Sequence, residues 1–196
     1  MAEGQDGAEH ETARRWFLDA CVLFPQLTRG LLIGAADAGM AQIFWSTRVL
    51  EEWRIAAARA GGMAAEAEVR ALTARLTAAY PQTLVEPDPE VEAALRLPDP
   101  GDAHVAAGAA TARALIVTLN MRDFPARRLT PHGLEAVHPD GLLWGLLEEE
   151  TERFAPVVGK ALADLARPVG DGAGGRSALK RAGLGRLGKA WAAQMA

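Results

Sequence analysis

Residues 99–125 read DPGDAHVAAGAATARALIVTLNMRDFP. Asp99 suits a helix N-cap and Pro100 the first helical turn, and the Ala-rich run to Arg113 continues the helix. Ala114 to Thr118 is a short apolar run rich in β-branched residues, the pattern of a strand buried on both faces. A helix that runs straight into a buried strand is the repeating unit of an α/β fold with a mostly parallel sheet. The same alternation appears at the start of the chain. Trp16 to Asp19 reads as a first strand, followed by a helix from Pro25 to Ala38 with Gly39 at its C-terminal cap.

Outward from these units the remaining elements fall into place. Gln42 to Trp45 reads as a short extended link, and Ser46 is a good N-cap for a helix over Thr47 to Ala60 that Gly61 and Gly62 end. A further helix spans Ala64 to Ala79 and stops before Pro81. Val85 to Pro100 is proline-rich loop with one helical turn at Glu90 to Leu95. An edge strand is expected within Arg127 to Val137, then helices over Asp140 to Glu150 and Phe154 to Arg167. With 196 residues the chain fits one domain with a full core. Residues 1–13 form a polar, disordered lead, 14–167 the folded body, and 168–196 a basic Gly-rich tail. From residue 167 onward six Lys or Arg face one acid, in a chain of net charge −4. Seven glycines between 170 and 188 disfavour stable helix there, so the tail is expected to be mobile and to order on contact through Leu179, Leu184, Leu187 and Trp191.

Composition excludes several classes. No apolar stretch approaches the roughly 20 residues that cross a bilayer, and the polar N-terminus lacks the apolar core of a secretory signal, so no membrane partner and a cytoplasmic location are expected. Cys21 is the only cysteine, which rules out an intrachain disulfide or a cysteine-rich zinc site. The acidic body argues against non-specific nucleic-acid binding, but a nuclease whose metals neutralise carboxylates remains compatible with it.

Four carboxylates stand beside apolar runs in separate parts of the chain: Asp19 in WFLDACVLFP, Glu52 in WSTRVLEEW, Asp102 in DPGDAHVAAGA and Asp123 in VTLNMRDFP. Strand ends and helix starts of an α/β sheet converge at its carboxyl edge, where ligands bind. Two like charges about 4 Å apart repel by about 4 kcal/mol at an effective dielectric near 20, which a hard cation such as Mg²⁺ or Mn²⁺ relieves. Each acid has a plainer reading. Asp19 and Asp123 suit turns, Glu51 and Glu52 suit a solvated helix face, Asp99 caps a helix, and the helix dipole alone favours Asp102. Only one of the neighbours Glu51 and Glu52 can face a site, because adjacent helix residues point about 100° apart.

Those segments, in this order, resemble the PIN-domain nucleases, the family that includes the VapC-type toxins of bacterial toxin–antitoxin pairs. The resemblance runs from about Arg15 to Asp140 and rests on FLDACVL, STRVLEEW, the DPGDAHVAA helix start and VTLNMRDFP. It implies a PIN-like, Rossmann-like α/β/α sandwich with a mostly parallel sheet, and a Mg²⁺- or Mn²⁺-dependent endoribonuclease. Asp19, Glu52, Asp102 and Asp123 match its metal ligands and catalytic acids; Asn120 stands where many relatives carry a further Asp. The Asn that commonly follows two residues after the first Asp is Cys21 here. The expected mechanism is hydrolysis by an activated water with no protein nucleophile, Asn120 and Thr118 positioning the water and Arg29, Arg48 and Arg54 offering phosphate contacts. His104 is expected as a polar contact at the site rim. The implied partners are an RNA substrate, a cognate antitoxin and a second copy in a homodimer. Two other readings stay open: a PIN-type RNA-processing nuclease outside a toxin–antitoxin pair, and a binding module that kept the fold without the chemistry.

Overall fold

Trp16, Phe17 and Leu18 are all fully buried. Alternate residues of a strand point to opposite faces, so this strand meets apolar packing on both sides of its sheet, as parallel strands do. The structure, a computed structural model, describes residues 14–165 and 173–195. The expected disordered lead over residues 1–13 lies outside them. The chain runs β1 (Arg14–Leu18), α1 (Ala20–Leu23), α2 (Gln26–Asp37), β2 (Ala41–Phe44), α3 (Thr47–Ala79), α4 (Pro89–Ala94), α5 (Ala103–Ala112) and β3 (Leu115–Val117). It continues through α6 (Ala126–Leu129), β4 (Ala136–Val137), α7 (Pro139–Glu149), α8 (Thr151–Ala163), α9 (Ala173–Arg181) and α10 (Gly185–Gln194).

The strands form a parallel sheet in the order β2-β1-β3-β4, with Phe17 beside Phe44 on one side and Ile116 on the other. From β1 the chain moves outward to β2 and later returns past β1 to β3. Right-handed crossovers in these two directions put α2 and α5 on opposite faces, an arrangement consistent with a Rossmann-like α/β/α sandwich. On one face α2 lies against β2, α7 and α8, and on the other α5 covers β1 and β3. The approach of α5 to β1 is close enough that a Cβ on Gly108 would sit 2.4 Å from the Phe17 ring. Arg113 then enters the left-handed region (φ 50) to end α5 and turn the chain into β3.

Ser46 caps α3 as expected, its hydroxyl accepting from the Val49 N–H at 3.3 Å. The span of α3 holds the two expected helices, which meet at Gly62, where φ 68 and ψ −157 are not helical. Two elements differ from expectation. Gln42 to Trp45 is not a link: Ala41–Phe44 pairs with β1, and only Gln42 of the four turns outward. The edge strand in 127–137 is just Ala136–Val137, because α6 and a 3₁₀ turn over Thr130–His132 occupy the segment before it.

The largest correction concerns the Gly-rich tail. Over 173–195 it is two helices, with Ala178, Leu179, Leu184, Leu187 and Trp191 buried. Tertiary packing outweighs the poor helix propensity of glycine here. Gly188 lets α10 approach α9 closely, since a Cβ there would meet the Arg176 carbonyl oxygen and the Leu179 Cβ at 3.1 Å each. The Asp140 carboxylate accepts from the Arg186 and Leu187 N–H groups at 3.0 Å each, closing the first turn of α10 onto α7. The Arg186 guanidinium lies 4.0 Å above the Trp144 ring. Among the described residues no helix is long and apolar enough to cross a membrane.

Candidate functional site

The direction of the chain reverses between β1 and β3, so the crevice beyond their carboxyl ends is the natural ligand position of the sheet. Asp19 follows β1 there, its N–H donating to the Val117 carbonyl at 3.2 Å, and Thr118 follows β3. A cleft of about 530 Å³ opens at this point, lined by Asp19, Glu52, Asp102 and Asn120 on its polar side and by Ala20, Phe24, Pro25 and Ala56 among its apolar walls. A larger concavity, about 740 Å³ along α2, α3 and α8, contains none of the four acids.

Asp19 is nearly buried, yet its side chain does not cap α1. Its Oδ2 accepts from Thr118 Oγ1 at 2.6 Å and from Cys21 Sγ at 3.0 Å. Thr118, fully buried, gives its one hydroxyl proton to Asp19 and accepts from the Asn120 N–H at 2.9 Å. It thereby orients Asp19. Cys21 accepts from the Leu119 N–H at 3.1 Å, so the thiol joins the ends of β1 and β3. Burial first, then the charge of Asp19, pushes this thiol up to about 12, which makes it a donor and not a nucleophile.

Asp102 precedes α5 without capping it; Asp99 caps the 3₁₀ turn Pro100–Asp102 just before it, accepting from the Gly101 N–H at 2.8 Å. The Asp102 carboxylate is thus free of the helix end. Desolvation, followed by repulsion from Asp19, Asp99, Asp123 and Glu52, pushes it up to about 6. Its direction reflects burial first and the gathering of like charges second.

Glu51 and Glu52 separate cleanly. Glu51 turns outward and is gripped by Arg54, whose Nη2 and Nε reach its carboxylate at 2.5 Å and 2.8 Å. Glu52 lines the cleft with Ala56 one turn later, because buried Val49, Trp53 and Ala57 fix the phase of α3. Its Oε1 lies 2.8 Å from His104 Nε2. His104 is fully buried at the start of α5, so it is not a rim residue. The sequence held one signal for it, a lone imidazole in a helix otherwise made of Ala, Val, Gly and Thr. Asp123 sits beyond the cleft lining, where Asn120 Nδ2 donates to its Oδ2.

None of the three arginines singled out in the sequence lines the cleft. Arg29 donates to the Leu23 carbonyl and lies over the Trp53 ring at 5.0 Å, Arg48 pairs with Glu92, and Arg54 pairs with Glu51 and Glu66. Each has a structural engagement that competes with phosphate binding. Neither a protein-family model nor a curated protein nor a solved structure matches the chain.

Among the described residues no three His, Cys, Asp or Glu side chains are gathered closely enough to hold a metal ion as they stand. Asp19, Glu52 and Asp123 each already accept a hydrogen bond from a neighbour. In kind, however, the cleft fits a hard divalent cation, offering carboxylate oxygens around a mutually repelling cluster centred on Asp102.

Proposed function

We propose that this protein is a metal-dependent endoribonuclease of PIN-like architecture that acts as the toxin of a toxin–antitoxin pair in the cytoplasm. The single observation that carries the reading is the cleft that Asp19, Glu52 and Asp102 line together at the carboxyl edge of a parallel sheet. An α/β sheet with an acidic cleft at this edge agrees with the four segments that resemble PIN-domain nucleases. The toxin role, the antitoxin partner and the homodimer rest on that resemblance alone.

A Mg²⁺ or Mn²⁺ ion held by Asp19, Glu52 and Asp102, with Asp123 nearby, would neutralise the scissile phosphate and activate a water. The chain's own groups prepare the cleft for such chemistry. Thr118 and Cys21 fix the Asp19 rotamer, so this carboxylate needs little reorganisation on binding. Asn120, exposed at the cleft mouth, keeps an amide oxygen free while its nitrogen holds Asp123. Phe24, 45 % exposed in the cleft wall, offers a ring face on which an unpaired base can stack. A stacking ring suits an unpaired strand more than a base-paired one.

A second reading is a PIN-fold binding module without catalysis, favoured by the hydrogen bonds that already occupy Glu52 and Asp123. One experiment separates the two. Purified protein is incubated with a labelled single-stranded RNA and Mg²⁺ or Mn²⁺, beside an Asp19→Asn variant and an EDTA control. The nuclease reading expects internal cleavage by the wild type, loss of it with EDTA and recovery when metal is returned, and no cleavage by the variant. RNA bound but left intact by both proteins supports the binding module. Equal cleavage by both removes Asp19 from the chemistry.

A further inference from the structure

His104 is out of place by packing criteria. Its neighbours on α5, Ala103, Val105, Ala106, Ala107 and Ala109, are buried and apolar, and the imidazole itself is fully buried. Its Nδ1 is buried with no hydrogen-bond partner among the described residues. An apolar side chain would fill this position without leaving a polar atom unpaired. The other ring nitrogen has a definite task. Nε2 lies 2.8 Å from Glu52 Oε1, 52 residues away in sequence and on a different helix. A carboxylate only accepts, so Nε2 carries the proton and Nδ1 is left as an unpaired acceptor, which is the less costly orphan for a buried imidazole.

We propose that His104 is a positioning residue, whose Nε2–H holds Glu52 in the cleft with Oε1 occupied and Oε2 left to face a ligand. Glu52 needs such a hold. Its side chain is 45 % exposed, and on the same turn Arg54 attracts the neighbouring Glu51 away from the cleft. A flexible, half-exposed glutamate loses rotamer freedom when it engages a ligand, and a fixed donor from a rigid buried helix removes part of that cost beforehand. The arrangement has the form of an outer-shell partner, in which a group that touches no ligand orients one that does. His104 thereby couples α5 to α3 across the site.

The activity arm of the test rests on the nuclease reading, and a spectroscopic arm does not. In 15N-labelled wild-type protein without added metal, NMR should show an exchange-protected imidazole Nε2 proton for His104, shifted in Glu52→Gln. Absence of a protected proton, or one indifferent to Glu52→Gln, overturns the proposal whatever the protein does to RNA. In the second arm, His104→Leu removes the donor at similar volume and His104→Gln returns an N–H near the same place. Mn²⁺ affinity and RNA cleavage should fall about 10-fold or more in the Leu variant and recover substantially in the Gln variant. In a Glu52→Gln background, the Leu substitution should produce no further loss of Mn²⁺ affinity. Equal losses in the Leu and Gln variants, or an undiminished loss in the Glu52→Gln background, mean that His104 serves packing only. If the wild type neither binds Mn²⁺ nor cleaves RNA, the nuclease reading fails while the imidazole proton still decides the positioning role.

Discussion

Replacing Asp102 by Asn should stabilise the protein at neutral pH and do nothing at pH 4. Burial, then the charges of Asp19, Asp99, Asp123 and Glu52, push the Asp102 carboxyl up to about 6 from an ordinary value of 3.8. Between these values the folded protein holds a proton that the unfolded chain has lost. Stability therefore falls as pH rises from about 4 to about 6 and stays lower above that window. At about 1.4 kcal/mol per pH unit the whole difference comes to about 3 kcal/mol. Asp102 is only partly buried, and solvent screening reduces the expected effect to roughly 1 kcal/mol, or about 2–4 °C in Tm for a chain of this size. Asn cannot ionise, so it escapes the penalty. Thermal melts of both proteins in EDTA from pH 4 to pH 8 should coincide at the acid end, separate between pH 4 and pH 6 and stay apart above that, the Asn variant melting higher. Millimolar Mn²⁺ at pH 8 should narrow or reverse the gap by stabilising the wild type more. An Asn variant that melts lower than the wild type at pH 8, or a gap that ignores pH, would refute the picture of a repelling carboxylate cluster.

Two further outcomes follow from the geometry. Glu52→Gln should lower RNA cleavage at least 10-fold while Glu51→Gln leaves it within about 2-fold, because Glu51 faces Arg54 and away from the cleft; initial rates of the two variants decide this, and the opposite order would reverse the α3 phase assigned here. Trp191→Ala should cost about 3 kcal/mol or more, a fall of roughly 10 °C in Tm, since the indole is buried, with its ring edge beside Gly159 of α8. Truncation after Arg167 should destabilise further; a truncated chain that melts with the wild type would show that the last two helices are dispensable to the fold.

Much of this architecture was legible in the sequence because local signals and tertiary packing agree. The Asp99-Pro100 start, the Ala-rich helix and the run into β3 each pointed the same way, and the Ser46 cap fixed the phase that brings Glu52 to the cleft. β2 was missed because four residues with one outward Gln give little periodicity; its identity comes from pairing with β1. The C-terminal helices were misread because glycine propensity is a local quantity. The Gly188 contact and the Asp140 cap are made by partners far along the chain. At the site, the positions of Asp19, Glu52 and Asp102 were readable from their flanking apolar runs. The hydrogen bonds that define their roles were not: Thr118 to Asp19 spans 99 residues and His104 to Glu52 spans 52, and no spacing rule encodes either.

The central claim is that Asp19, Glu52 and Asp102 together form one divalent-cation site. Mn²⁺ titration of the purified wild type, followed by the loss of free-ion electron paramagnetic resonance signal, tests it most directly when repeated on Asp19→Asn and Asp102→Asn. The account predicts saturable binding of one or two ions by the wild type, and affinity lowered at least 10-fold in each variant, because each removes an ionised oxygen ligand. Equal, weak binding by all three proteins would contradict it and leave an acidic cleft with no cation to serve.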